Sequence, residues 1–132
     1  MTDQRTWVFV ANRTLNEEEV LRINDELNAF VSNWKTHGTP IDASGFCFEQ
    51  AAIVIAANEA EVKASGCSID KITHLVRSLG TSLEIDFFNR FNVLNRSDAG
   101  NWTIEKYSPQ NANTCINANI ISLNQLNQLI IN

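Results

Sequence analysis

At 132 residues, with 44% apolar and 19% charged residues, the chain has the length and make-up of one globular domain, 1–132, that can bury a core without disulfide or metal staples. Its net charge of −5 and its ten scattered basic residues lack the clustered Lys and Arg that a phosphate backbone needs, so no nucleic-acid partner is expected. No stretch reaches the roughly 20 apolar residues of a membrane span. Met1–Arg5 leads only into a short apolar run, so no signal peptide is expected either and the cytoplasm is the natural location.

Trp7–Ala11 reads as a strand with apolar residues on both faces, which predicts a central position in a sheet. Thr14 stands three residues before Glu17 in a capping-box pattern. Val20, Ile23, Leu27, Phe30, Val31 and Trp34 then recur at helical spacing, predicting a helix over about Leu15–Lys35. Thr36–Pro40 ends it, with Gly38 as C-cap, Pro40 beyond, and His37 as a cation suited to the negative end of the helix. Ile41–Glu49 and Ala52–Ala57 read as two strands of a hairpin. After the polar linker Asn58–Ala64, a second helix is expected from about Ser68, buried through Ile69, Ile72, Val76 and Leu79.

Gly80 is expected to break or kink that helix, and Leu83–Phe88 to form a further helical turn. Phe91–Leu94 and Trp102–Tyr107 read as strands. Beyond Lys106 no residue is charged and Asn and Gln dominate. There Ile120-Ile121 reads as a last strand, and Ser122 as the cap of a short helix bearing Leu123, Leu126, Leu129 and Ile130. The core thus runs over about 7–107, with a C-terminal extension at 108–132.

This β-α-β-β-α-β order predicts an α+β fold of the ferredoxin-like kind. It would be an antiparallel sheet of order 4-1-3-2 with two helices on one face, plus the extra strand and short helix. The second face is apolar and needs a cover. Either the C-terminal helix folds across it or a homodimer forms through it.

The same topology brings the loops 36–40 and 64–68 to one end of the sheet. Trp34, His37, Gly66, Cys67, Ser68, Asp70 and Lys71 therefore make a candidate ligand-binding cleft. Gly66 allows close backbone approach, and the amides after it, at a helix N-terminus, suit a small anionic ligand. A helix N-terminus is expected to favour a thiolate at Cys67 and the Asp70 carboxylate to oppose it. Cys67 as nucleophile with His37 as base or cation would be the catalytic pair. The plainer reading is a capping segment: Ser65 or Ser68 as N-cap, Asp70 in the first turn and Cys67 packed. His74, four residues beyond Asp70, reads as its surface partner. Cys47 reads as core. The three dispersed cysteines (47, 67, 115) and two isolated histidines give neither a disulfide framework nor metal-ligand spacing, so no metal and no cofactor are expected. The Asn-x-Ser/Thr triplets at 12, 95 and 101 read as chance.

With Trp7-Val8-Phe9, Asn12-Arg13-Thr14-Leu15, Trp34 with His37-Gly38, Ala64–Lys71 and Phe87-Phe88-Asn89-Arg90, the chain resembles a group of small bacterial proteins often labelled "ABC transporter ATPase". The resemblance runs over about Trp7–Leu94, is most specific at Ser65–Asp70, and fades over Asn101–Asn119. The residues do not support the label. A phosphate-binding loop needs Gly-x-x-x-x-Gly-Lys-Ser/Thr, whereas Asp70 stands at the second Gly and Ile72 follows Lys71. ATP hydrolysis is not expected. The sequence reading is a cytoplasmic binding or interaction module with a small-anion or small-ligand site at the Cys67 helix start, leaning away from enzymatic activity. Its alternative is a thiol-dependent enzyme or redox-responsive protein using Cys67.

Overall fold

The computed structural model describes residues 3–131. The order is β1 (Arg5–Val10), α1 (Glu17–Asn33), β2 (Lys35–Thr36), β3 (Thr39–Pro40), β4 (Asp42–Phe48), β5 (Ala52–Asn58), α2 (Gly66–Leu83), β6 (Asn92–Arg96), β7 (Trp102–Lys106) and α3 (Leu123–Ile131). The architecture is α+β with antiparallel sheets. No helix among the described residues is long and apolar enough to cross a membrane.

The central sheet has three strands in the order β1-β5-β4. β5, between the other two, is buried from Ala52 to Ala57, as its unbroken apolar run requires. The β4–β5 turn is closed by the Ala51 N–H donating to the Phe48 carbonyl, with Glu49 and Gln50 both left-handed at φ 51° and 57°.

The expected fourth strand does not complete a 4-1-3-2 sheet. β6 pairs instead with β7, from Asn92↔Lys106 to Arg96↔Trp102, in a separate two-stranded sheet. Among the described residues, the outer edge of β1 is occupied only at its start. There the Thr6 N–H donates to the Ile121 carbonyl, and the Leu123 N–H donates to that of Gln4. Ile120-Ile121 therefore contributes an isolated bridge, Arg5↔Ser122, rather than a full strand.

Side chains alternate across β1 and β5, and two cores result. On one face Ile53, Ile55 and Ala57, with Trp7 and Phe9, meet Ile23 and Leu27 of α1 and Ile72, Val76 and Leu79 of α2. On the other, Val8, Val10, Ala52 and Val54 meet Leu94, Ile116, Ile120 and Leu126. The second face is thus not open. The β6–β7 hairpin, the 115–121 segment and α3 fill it, which removes the surface through which a homodimer was expected.

Several local expectations change. The capping box of α1 is Asn16 with Glu19, two residues later than the Thr14–Glu17 pattern, because Asn16 Oδ1 accepts from the Glu19 N–H while Glu19 Oε1 accepts from the Asn16 N–H. Arg13 adds a two-pronged pair to Glu19 (2.9 and 2.7 Å) and donates to the Leu83 carbonyl, joining the start of α1 to the end of α2. That charge-assisted pairing holds the Glu19 carboxyl down at about 2.

α2 starts at Gly66, capped by Ser65, and runs through Gly80 without a break. Gly80 serves close approach instead: a Cβ there would lie 2.6 Å from the Ile85 carbonyl oxygen. The helix ends at Glu84, in the left-handed conformation. Residues 85–90 form no helical turn. They run as an irregular crossing, pinned where Asn12 Oδ1 accepts from the Asp86 N–H and Asp86 Oδ1 from the Phe88 N–H.

Candidate functional site

The residues singled out at the start of α2 do come together with the segment after α1, but as a packed joint. α1 ends at Asn33, with Trp34 extended as its C-cap. Lys35–Pro40 is then a miniature hairpin, registered Lys35↔Pro40 and Thr36↔Thr39. His37 and Gly38 form its turn at φ 50° and 81°, the doubly left-handed geometry of a tight hairpin. Gly38 is therefore a turn residue rather than a helix cap, and His37 is an exposed turn tip rather than a helix-end cation.

Ser68 is the hub of the joint. Its N–H donates to Ser65 Oγ, its Oγ donates to the Lys35 carbonyl at 2.9 Å, and its own carbonyl accepts from Trp34 Nε1 at 2.8 Å. Trp34 and Ser68 are 2% and 3% exposed, so neither offers surface to a ligand. The indole is packed edge-on to Trp7 at 5.7 Å and tilted against Phe30 at 5.3 Å. Gly66, Cys67, Asp70 and Lys71 are exposed around this joint, as is His74 one turn on. Gly66 has no positive φ and a Cβ there would meet nothing within 4 Å, so it grants neither the backbone freedom nor the close approach expected of it. Cys67 is the exposed cysteine. Cys115 is buried, and burial pushes the half-buried Cys47 thiol up to about 11.

A concave surface with aromatic walls and cationic lining lies elsewhere, along the outer edge of β1. A cleft of about 460 Å³ is lined by Arg5–Val10, Thr73, Phe87–Arg90, Asn92, Ala118, Ile120 and Ile121. That size lies within the roughly 300–1,000 Å³ of ligand pockets. The cleft lies where β1 has no outer strand along most of its length, β6 being paired with β7 instead. Phe87–Asn92 crosses from the α2 face to the opposite face at one place, and Ile120-Ile121 closes on Thr6 at another.

Three features give the cleft chemistry. Its walls are aromatic and aliphatic, with Phe9 and Phe88 in edge contact at 5.6 Å and the Arg77 guanidinium 5.1 Å from the Phe88 ring. Its charged lining is cationic only, Arg5 and Arg90. Arg5 is shared with Glu59 at 3.7 Å and lies over the Trp7 ring, whereas Arg90 is hydrogen-bonded to the neutral Asn119 and has no carboxylate partner among the described residues. Third, Asn92 is only 4% exposed, and its Nδ2 has no hydrogen-bond partner among the described residues. Its Oδ1 accepts from Lys106 Nζ at 2.7 Å, which leaves the amide N–H groups as the unmet donors. Two residues before Leu94 on β6, Asn92 shares that core residue's side of the strand. An unpaired buried donor of this kind costs about 1–3 kcal/mol until an acceptor arrives.

Sequence reasoning missed this cleft. Its faint signal is the amide of Asn92 interrupting the apolar run Phe91–Leu94, with Arg90 close before it. The described residues hold no cluster of three or more His, Cys, Asp or Glu able to bind a metal. No protein-family model, curated protein or solved structure matches the chain.

Proposed function

We propose that the protein is a cytoplasmic, non-catalytic binding module for a small carboxylate-bearing ligand, held in the cleft along β1. The observation that carries this reading is the buried, unpartnered Asn92 amide in an apolar cleft whose charged lining is cationic only. A carboxylate supplies acceptors for Asn92 Nδ2 and for the guanidinium N–H groups that Asn119 leaves free on Arg90. The aromatic walls take an apolar body.

This keeps the small anionic ligand read from the sequence and moves its site from the Cys67 helix start to the sheet edge. The ferredoxin-like frame belongs to the same reading, as a β-α-β-β-α-β chain whose fourth strand has left the sheet and opened the cleft. A second, thiol-based reading is favoured by one observation, the exposure of Cys67 in the first turn of α2.

The carboxylate reading is tested by thermal denaturation in the presence of medium-chain alkyl carboxylates, with alkylammonium ions of the same length as controls. The carboxylates raise Tm, the ammonium ions do not, and Arg90→Ala removes most of the rise. A Tm that ignores the carboxylates would overturn the assignment.

A further inference from the structure

All six residues of β1, Arg5 to Val10, line the cleft although their side chains alternate between the two faces of the sheet. What they share on that side is the backbone edge. Its phase is fixed at two points. The Thr6 N–H points outward to Ile121, while the Ala11 N–H points inward to the Ala51 carbonyl. In an antiparallel ladder this direction alternates along the strand. The backbone groups of Val8 and Val10 therefore face the cleft, where no strand pairs with them among the described residues.

Resting on the carboxylate reading above, we infer that the ligand is the free C-terminus of an extended peptide, added to β1 as a short outer strand. Main-chain groups of the peptide meet those of Val8 and Val10, and its side chains alternate onto the apolar walls. The edge is short and blind: Ile121 already holds Thr6, so a passing strand would collide with it, whereas a chain end fits. Arg90 stands at that blind end, because it is hydrogen-bonded to Asn119, two residues before Ile121. Chain termination and a carboxylate are thus demanded at the same place. The absence of any acidic lining residue selects the carboxylate over an N-terminal amine.

Fluorescence anisotropy with an N-terminally labelled tetrapeptide of glycine, valine and isoleucine tests this in three forms: free acid, C-terminal amide, and free acid with its backbone N–H groups methylated. The free acid binds, and the amide and the methylated form each bind about tenfold or more weakly, for the loss of a charge-assisted or main-chain hydrogen bond. Arg90→Ala, an exposed change, brings the acid down to the level of the amide. Equal binding of acid and amide, or of methylated and unmethylated acid, would refute strand addition. If alkyl carboxylates raise Tm but the peptide acid binds no more tightly than they do, the small-carboxylate reading survives and the peptide inference fails. If neither binds, both fail.

Discussion

Gly66 opens α2 and Gly80 lies within its last turn, and the two differ in what surrounds them. A Cβ on Gly66 reaches open space, while one on Gly80 is forced to 2.6 Å from a backbone oxygen that no rotamer change can clear. Gly66→Ala should leave urea stability within about 0.5 kcal/mol of the parent, the usual span for surface changes away from special features. Gly80→Ala gains up to about 1 kcal/mol in helix propensity but displaces the Ile85 turn, so a net loss of about 1–3 kcal/mol is expected. Equal stability of the two variants would show that residue 85 can move away freely. The cysteines divide in the same local way. In the folded protein an aromatic disulfide reagent should modify one thiol quickly, that of Cys67, and Cys67→Ser should abolish the fast phase, because Cys115 is buried and Cys47 is held protonated by its surroundings. Two fast thiols would mean that β4 opens readily. Glu19 supplies a pH handle. Its carboxyl lies at about 2 against an ordinary 4.5, first because of the Arg13 pair and then the Asn16 N–H. The depressed value means that its contribution is complete above about 4.5 and is lost as pH falls from there toward about 2. Tm should fall over that window less steeply in Glu19→Gln than in the parent.

The elements themselves were largely legible, because burial writes its period into each one. The helical spacing of Val20 to Trp34, the unbroken run Ala52–Ala57 and the leucines after Ser122 all gave the right element in nearly the right place. Pairing was harder. The partner of β6 is chosen by how Leu94 packs with Ile104 and Ile116, a contest among distant residues that no local pattern records. The edge cleft was invisible for the same reason, since it is the space left by a strand that pairs elsewhere. The His37 turn was misread because a glycine soon after a helix fits both a C-cap and a hairpin. What decides for the hairpin is the tether of Lys35 to Ser68, which holds the chain extended just past Trp34. The hairpin geometry makes a clear demand on His37, whose φ of 50° suits Asn and penalises a β-branched residue. His37→Val should lower stability by about 1–2 kcal/mol, while His37→Asn should be neutral or stabilising. Loss of stability in His37→Asn as well would point to a role for the imidazole itself.

At the scale of the whole molecule, the uncharged C-terminal stretch is what makes a three-stranded sheet tenable. Val8, Val10 and Val54 are no more than 3% exposed, and much of what covers them, Ile116, Ile120 and Leu126, comes after residue 107. The stretch carries its polarity as amides, and these serve its own turns: Asn111 accepts from the Ser108 N–H, Asn117 from the Asn119 N–H and Gln125 from the Ile121 N–H. Two consequences can be separated. Leu126→Ala keeps the cover but hollows it, and should cost about 2–5 kcal/mol, a large share of the roughly 5–15 kcal/mol that holds a domain together. Removing residues 108–132 instead bares the face and frees the start of β1. The shortened chain should then bind a hydrophobic dye and self-associate, whereas the full chain should scatter as a 14.8 kDa monomer. A shortened chain that stays monomeric and silent to the dye would mean that the β6–β7 hairpin can close over the sheet unaided. The covering layer also forms one wall of the edge cleft, through Ile120 and Ile121. Leu126→Ala, by loosening that wall, should therefore weaken carboxylate binding along with stability, while Arg90→Ala should weaken binding alone.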